Sequence, residues 1–181
     1  LHLDSCAIRT KSPIRVILGG ESVSIFRSQL LLDEQRLFFD IWRGACGNSQ
    51  MPCRSEISPC QFFSLWPYVS LFEFENNDSM KVTVAGSGLR GVLGDEPKSV
   101  FQNKDTEGGY QDILNVRKNA TPICGVSHNM SSGRTGLVRF WMRLPLGNSS
   151  NVEEVIGLDL TLSSARAPLW AIEQIKSSLA V

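Results

Sequence analysis

Residues 80–94 read Met-Lys-Val-Thr-Val-Ala-Gly-Ser-Gly-Leu-Arg-Gly-Val-Leu-Gly, and the reading of this stretch decides the fold. Its first six residues alternate, with Met80, Val82 and Val84 on one side and Lys81, Thr83 and Ala85 on the other, as in a strand with one buried face. Gly86-Ser87-Gly88 follows, then a short apolar helical turn from Leu89 to Leu93 that stops at Gly94. Gly86, Gly88 and Gly91 have the spacing of a G-x-G-x-x-G dinucleotide-binding turn. That turn requires a parallel strand after the helix, with an acidic residue at its end to meet the ribose. The alternative is a strand-to-helix corner in a small α+β domain, where glycine lets the chain turn sharply.

The neighbouring sequence favours the corner. Tyr68 to Glu75 alternates as a strand, and Asn76-Asn77-Asp78-Ser79 is a turn cluster that leads straight into Met80, so the two strands form an antiparallel hairpin. After Gly94 comes Asp-Glu-Pro-Lys-Ser-Val-Phe-Gln-Asn-Lys-Asp, which holds no apolar strand run. Asp105 therefore stands in the wrong context for a ribose ligand.

Working outward, Ser28 to Ala45 has helical periodicity, with Leu30, Leu31, Leu37, Phe38, Ile41 and Trp42 on one apolar stripe and Gly44 and Gly47 ending it. Ser58-Pro59 starts a short helix that Pro67 closes. Pro97 to Gln102 is predicted as a short helical turn and Glu107 to Asn119 as a longer helix. Three strands follow in series, Thr121–His128, Thr135–Leu146 and Val152–Leu162, separated by the turn clusters around Gly133 and Gly147. The last segment, Arg166 to Leu179, is a helix with Leu169, Ile172, Ile175 and Leu179 on one stripe. The fold class is therefore α+β, a five-stranded antiparallel sheet with small helices on one face and flanking helices at each end. Residues 1–27 form an extension, 28–163 the domain and 164–181 the C-terminal helix.

The 181-residue chain is 42% hydrophobic and 20% charged, with 18 basic and 18 acidic side chains. One domain fits this length. The balanced charge offers no field to draw in nucleic acid or an anionic membrane. No apolar run approaches the length of a bilayer span, and no signal-peptide pattern opens the sequence, so a cytoplasmic protein is expected. The five cysteines include Cys46, Cys53 and Cys60 at intervals of seven, which fits no zinc template, and they are expected to be free thiols. Cys124 and His128 share a strand face, but four residues at about 3.3 Å each put their Cα atoms about 13 Å apart, too far for a nucleophile and its base. No metal site and no catalytic residue is expected.

The order of elements resembles the PAS fold, and more narrowly a PAS-like domain family common in alphaproteobacteria. The matching residues are Ile41-Trp42-Arg43, Met51-Pro52-Cys53-Arg54-Ser55-Glu56-Ile57-Ser58-Pro59, and Leu65-Trp66-Pro67-Tyr68-Val69. Val84-Ala85-Gly86-Ser87 with Leu93-Gly94-Asp95 stands where the family carries its "LAGT … FGR" stretch. The likeness covers roughly residues 37–163, with Trp66, Tyr68 and Asp95 departing from the usual Leu, His and Arg.

The resemblance implies a regulatory sensor or protein-interaction module rather than an enzyme. It implies a homodimer acting on a signalling partner, and a pocket for a small apolar ligand between helices and sheet. Candidate lining residues are Leu89, Val92, Leu93, Phe101, Ile113, Leu114, Phe140, Met142 and Leu158. No flavin-type Asn-Cys-Arg-Phe-Leu-Gln helix is present and no histidine lies on a pocket-side helix, so neither flavin nor haem is expected. Arg139, Trp141 and Arg143, opposite the apolar side of the strongest strand, are read either as an interface anchor or as packing beneath a helix of their own chain. Leu169, Ile172 and Ile175 have the same two readings. Asp159 alternates against Ile156, Leu158 and Leu160 and is expected on the solvent or partner side. The rival fold is a nuclear-transport-factor-like (NTF2-like) cone, a small-molecule-binding protein or enzyme in which such an aspartate would work with a histidine inside the cavity.

Overall fold

The computed structural model describes residues 22–75, 79–93, 100–102, 110–128, 137–148, 151–167 and 169. The N-terminal apolar stripe forms two helices, α1 (Ser22–Gln29) and α2 (Asp33–Ala45), rather than one. Leu32 between them is extended (φ −103°, ψ 147°), and the Gln35 side-chain oxygen accepts the N–H groups of Leu31 (3.1 Å) and Leu32 (3.3 Å) at the start of α2. Gln35 thereby satisfies N–H groups that the break leaves without helical partners. Arg27 and Asp40 bridge the two helices through a pair of 2.7 Å hydrogen bonds on the exposed side. Phe26 and Leu30 are buried with Phe38, Phe39 and Trp42. The expected boundary after residue 27 falls inside α1, whose Phe26 belongs to the domain core.

Three short 3₁₀ turns follow (Arg54–Glu56, Pro59–Phe62 and Trp66–Tyr68), then strands β1 (Val69–Phe74) and β2 (Ser79–Val84) and helix α3 (Ser87–Leu93). Next come β3 (Val100–Gln102), α4 (Tyr110–Asn119), β4 (Ile123–His128), β5 (Leu137–Asn148) and β6 (Asn151–Ser163). All pairings are antiparallel, in the order β3-β2-β1-β6-β5-β4. The five expected strands are present in a PAS-like arrangement. The three-residue β3 extends the β2 edge, with Met80 opposite Phe101. Val100 to Gln102 is thus strand, not the helical turn read from the sequence, because the free edge of β2 offers ladder hydrogen bonds that a short polar segment cannot match alone. Of the C-terminal helix stripe, Ile172, Ile175 and Leu179 lie outside the described residues. Among the described residues no helix is long and apolar enough to cross a membrane.

β2 lies antiparallel to both its neighbours, which removes the dinucleotide reading. Gly88 is nonetheless required at the corner. A Cβ there would collide with the Asp159 carbonyl of β6, so α3 sits directly on the sheet backbone. Gly88 has no positive φ, and its role is close approach rather than conformational freedom. A register shift between β1 and β2 leaves Thr83 as an extra residue: Phe72 faces Val82, while Leu71 faces Val84. The bulge moves Val84 to the face opposite Val82, breaking the simple alternation.

Both sheet faces are covered. One carries Val69, Leu71, Phe140, Met142, Leu144, Ile156 and Leu158, and lies against α2 and the 3₁₀ turns. Trp42 anchors this layer, donating its indole N–H to the Pro145 carbonyl at 2.8 Å, with Phe39 stacked on it at 5.7 Å between ring centroids. The other face carries Phe72, Arg139, Trp141, Arg143, Gly157 and Asp159, beneath α3 and α4. Trp42→Phe is expected to destabilise the fold by about 1–3 kcal/mol, since the buried carbonyl loses its donor, and Trp42→Ala by about 3–5 kcal/mol. Urea unfolding followed by circular dichroism measures both, and a smaller cost for Ala than for Phe would contradict this anchoring.

Candidate functional site

The face beneath α3 and α4 is where charge enters the core. β5 and β6 form a hairpin in which Arg139 lies opposite Thr161, Trp141 opposite Asp159 and Arg143 opposite Gly157. Strand alternation thus projects two guanidinium groups, an indole and a carboxylate to one side. Asp159 is 0% exposed, Arg143 1% and Arg139 8%.

Three donors converge on one carboxylate oxygen. Asp159 Oδ1 accepts from Arg139 Nε (2.9 Å), Arg139 Nη2 (2.5 Å) and Arg143 Nη2 (2.9 Å). Arg143 Nη1 donates to the carbonyls of Met142 (2.8 Å) and Leu158 (3.2 Å), which fixes the guanidinium against the sheet. Phe72 and Trp141 flank its charge, with ring centroids 5.6 and 5.7 Å from Cζ. Asp159 Oδ2 and Arg143 Nε are buried and have no hydrogen-bond partner among the described residues.

Two glycines make the space. A Cβ on Gly157 would stand 2.9 Å from Arg143 Nη1 and 3.0 Å from the Phe72 ring. On β4, Gly125 lies opposite Trp141, and a Cβ there would overlap the indole ring. The helices close the site from above: Tyr110, Ile113 and Val116 of α4 and Leu89 of α3 are buried, and Arg117 lies 4.2 Å over the Phe74 ring. Asp112, in the first turn of α4, is half-buried on the helix that covers this face.

Electrostatics separates the two carboxylates. Burial alone would raise the Asp159 carboxyl, but the charges and hydrogen bonds of Arg139 and Arg143 outweigh it and hold the group below the usual range. At Asp112 burial wins: it pushes the carboxyl up, and Arg143 and Arg139 offset only part of the rise. Asp159 is therefore a committed counter-ion: three N–H groups occupy its Oδ1, and two guanidinium groups answer its charge. Cys124 is also chemically quiet, since burial pushes its thiol up to about 12. Cys46, Cys53 and Cys60 are free thiols, like Cys124. Among the described residues no group of three or more His, Cys, Asp or Glu side chains is placed to hold a metal ion.

The structure divides the expected pocket residues between the two faces. Phe140, Met142 and Leu158 lie on the α2 side, whereas Leu89, Ile113 and the partly buried Leu114 belong to the helices on the other side. These two groups cannot line one cavity, because the sheet stands between them. The side chains of Val92, Leu93 and Phe101 lie outside the described residues. On the α2 side the 3₁₀ turns leave an apolar hollow of about 10 Å³ beside Ile57, Phe62, Leu71 and Val84, room for no more than a single water.

Arg139, Trp141 and Arg143 share one face, and of their two readings packing beneath helices of their own chain is the one that holds, the helices being α3 and α4; they are not an exposed interface. Asp159 is corrected in the same way: it does oppose Ile156, Leu158 and Leu160, yet it faces arginines beneath helices and not solvent. Leu169 is 79% exposed. Asp112 was not among the expected site residues. Its signal in the sequence was slight, an acid three positions into a helix that the topology must bring over two arginines.

No known protein-family model matches the chain, and comparison with curated proteins finds no relative. The charge cluster itself is directly testable. Asp159→Asn leaves two buried guanidiniums without a counter-ion and is expected to cost about 3–5 kcal/mol in urea unfolding. Because the folded pKa of Asp159 is depressed, its contribution is present above about pH 4, its unfolded value, and is lost as pH falls through the folded one. The cost of the substitution should therefore shrink on acidification. A cost that stays constant into strong acid would show that the carboxylate charge is not what holds the cluster.

Proposed function

We propose that the chain is a regulatory module of the PAS type, a sensor or protein-interaction domain that acts through a signalling partner and performs no chemistry of its own. The observation that carries this reading is the placement of α3 and α4. They are inserted, with β3 between them, between the β1–β2 hairpin and a three-stranded meander, and they cover a sheet face that holds buried charge rather than only apolar packing. A purely structural layer would be cheaper to build from hydrocarbon, since a buried ion cluster rarely stabilises a fold more than apolar side chains of the same volume. A small ligand of the sensor belongs in this layer, next to Leu89 and Ile113, because the hollow on the other face is too small to take one.

The proposal includes a homodimer in the cytoplasm. With Trp141 and its neighbouring arginines buried, this reading assigns self-association to the flanking helices, where Ile25 of α1 is 51% exposed and Leu37 of α2 is 45% exposed, although Phe63 on the 3₁₀ turns is more exposed than either, at 84%. Native mass spectrometry of the purified chain is the test of both parts. The expected spectrum is a dimer with a co-purified small-molecule mass, and the double variant Ile25→Lys/Leu37→Lys should shift it to monomer. A monomer with no added mass at tens of micromolar protein would overturn the reading.

A further inference from the structure

We propose that Glu154 is a proton-operated catch for residues 52–57: Arg54 holds this segment over a carboxyl that directly faces a second carboxyl, Glu73, across the β1–β6 ladder. Strand register sets the conflict. Glu73 lies opposite Glu154, and like charges so placed on one sheet face repel. Glu73 has Lys81 opposite it on β2, whereas the neighbour of Glu154 on β5 is the apolar Leu146. Glu154 is answered only from above, where Arg54 Nε stands 3.7 Å from its Oε2, too far for a hydrogen bond. That oxygen is buried and has no hydrogen-bond partner among the described residues. Its side chain is 18% exposed, so water lost on burial is not replaced by a donor.

Residues 52–57 are tied to the end of the β5–β6 hairpin. The Gly147 N–H donates to the Pro52 carbonyl at 3.0 Å, and the Cys53 thiol to the Gly147 carbonyl at 3.4 Å. Arg54–Glu154 adds an ionic tie. The charges acting on Glu154 are those of Arg54, Glu73 and Glu153. Glu153 alternates to the opposite face and accepts from Asn148 Nδ2 at 3.1 Å. Glu56, within the segment, is turned to the Cys53 N–H at 2.6 Å. At the end of α2, Arg43 lies beside the buried Cys46 thiol, which burial pushes up. Arg54 and Ile57 are also walls of the hollow beside Phe62, Leu71 and Val84, so the seating of the segment bears on how open that hollow is.

Burial and the facing carboxylate both favour the neutral acid, and one unbonded guanidinium opposes them. The Glu154 carboxyl is accordingly raised, by burial first and by Glu73 and Glu153 in addition, with Arg54 offsetting part of the rise. A carboxyl with a raised folded pKa costs nothing below its unfolded value. The cost grows as pH rises from there and is complete above the folded value. A proton on Glu154 therefore seats the segment, and its loss towards neutral pH loosens it. The catch is independent of the sensor reading and operates whether or not a ligand exists.

The test is amide hydrogen exchange by nuclear magnetic resonance, read as protection factors of Gly147 and Ile57, whose N–H groups donate to the Pro52 and Arg54 carbonyls. The intact chain is compared with Glu154→Gln, Glu73→Gln and the double variant. At about pH 7, Glu154→Gln is expected to protect both amides on the order of threefold to tenfold more, and Glu73→Gln about twofold more, with the amides of Phe140 and Met142 unchanged. The double variant should match Glu154→Gln alone, because Glu73 acts on the segment through the Glu154 charge. All differences should close as pH falls towards about 4. Lower protection in Glu154→Gln, additive effects in the double variant, an equal change in every amide, or a difference that persists in acid would each overturn the proposal.

Discussion

A single carboxylate oxygen organises one side of this protein. Asp159 Oδ1 gathers three N–H groups from two arginines on the neighbouring strand, and almost everything on that face is arranged around the result. Gly157 leaves the Arg143 side chain room to lie across β6, Phe72 and Trp141 flank its charge, and the Gly88 corner brings α3 down onto the Asp159 backbone. A fully buried ion cluster has little tolerance: with its members present the charges answer one another, and with one missing a bare ion is left where water cannot reach it. The apolar layer on the opposite face is of another kind. Phe38, Phe39 and the strand residues beneath them are interchangeable in principle with other hydrocarbon of the same volume, and Trp42 alone among these aromatics adds a polar tie, to the Pro145 carbonyl.

This division explains what could be read in advance. The strands of the meander were legible because β5 alternates from Val138 to Leu146 and β6 from Ile156 to Leu162, and the hairpin because a turn cluster leads straight into Met80. The grouping of Arg139, Trp141 and Arg143, and the opposition of Asp159 to its leucines, were legible for the same reason. What alternation cannot say is which side of a sheet is wet. Charged side chains are rarely buried, so Asp159 was read as facing solvent or a partner, and Arg139, Trp141 and Arg143 were left between an interface and packing beneath a helix. Only the positions of α3 and α4 reverse that reading, and these depend on long-range contacts with no local signature.

Smaller errors have the same origin. The break between α1 and α2 is decided by Gln35 reaching back to Leu31 and Leu32, a choice that helical periodicity through Leu30 and Leu31 conceals. Val84 changes sides because of one extra residue in β2, and Val100 to Gln102 becomes strand because an edge was free. Each is a case of tertiary or capping contacts overriding local preference. The candidate pocket failed for a topological reason: a list of apolar residues from strands and helices has no information about which of two covered faces each belongs to.

The meeting of Trp141 with Gly125 has a consequence for how the sheet assembles. β4 supplies only six residues, and a short strand at the end of a sheet could pair with β5 in several offsets. A shift by one residue would turn Cys124 and Val126 towards the charged face, and a shift by two would bring Ile123 or Ser127 opposite the indole. In every case the ring would meet a side chain where its present position tolerates only a hydrogen. One glycine under one tryptophan thus acts as a ruler for the meander, rejecting misaligned pairings of β4 before the helices that cover the charged face have to settle on it.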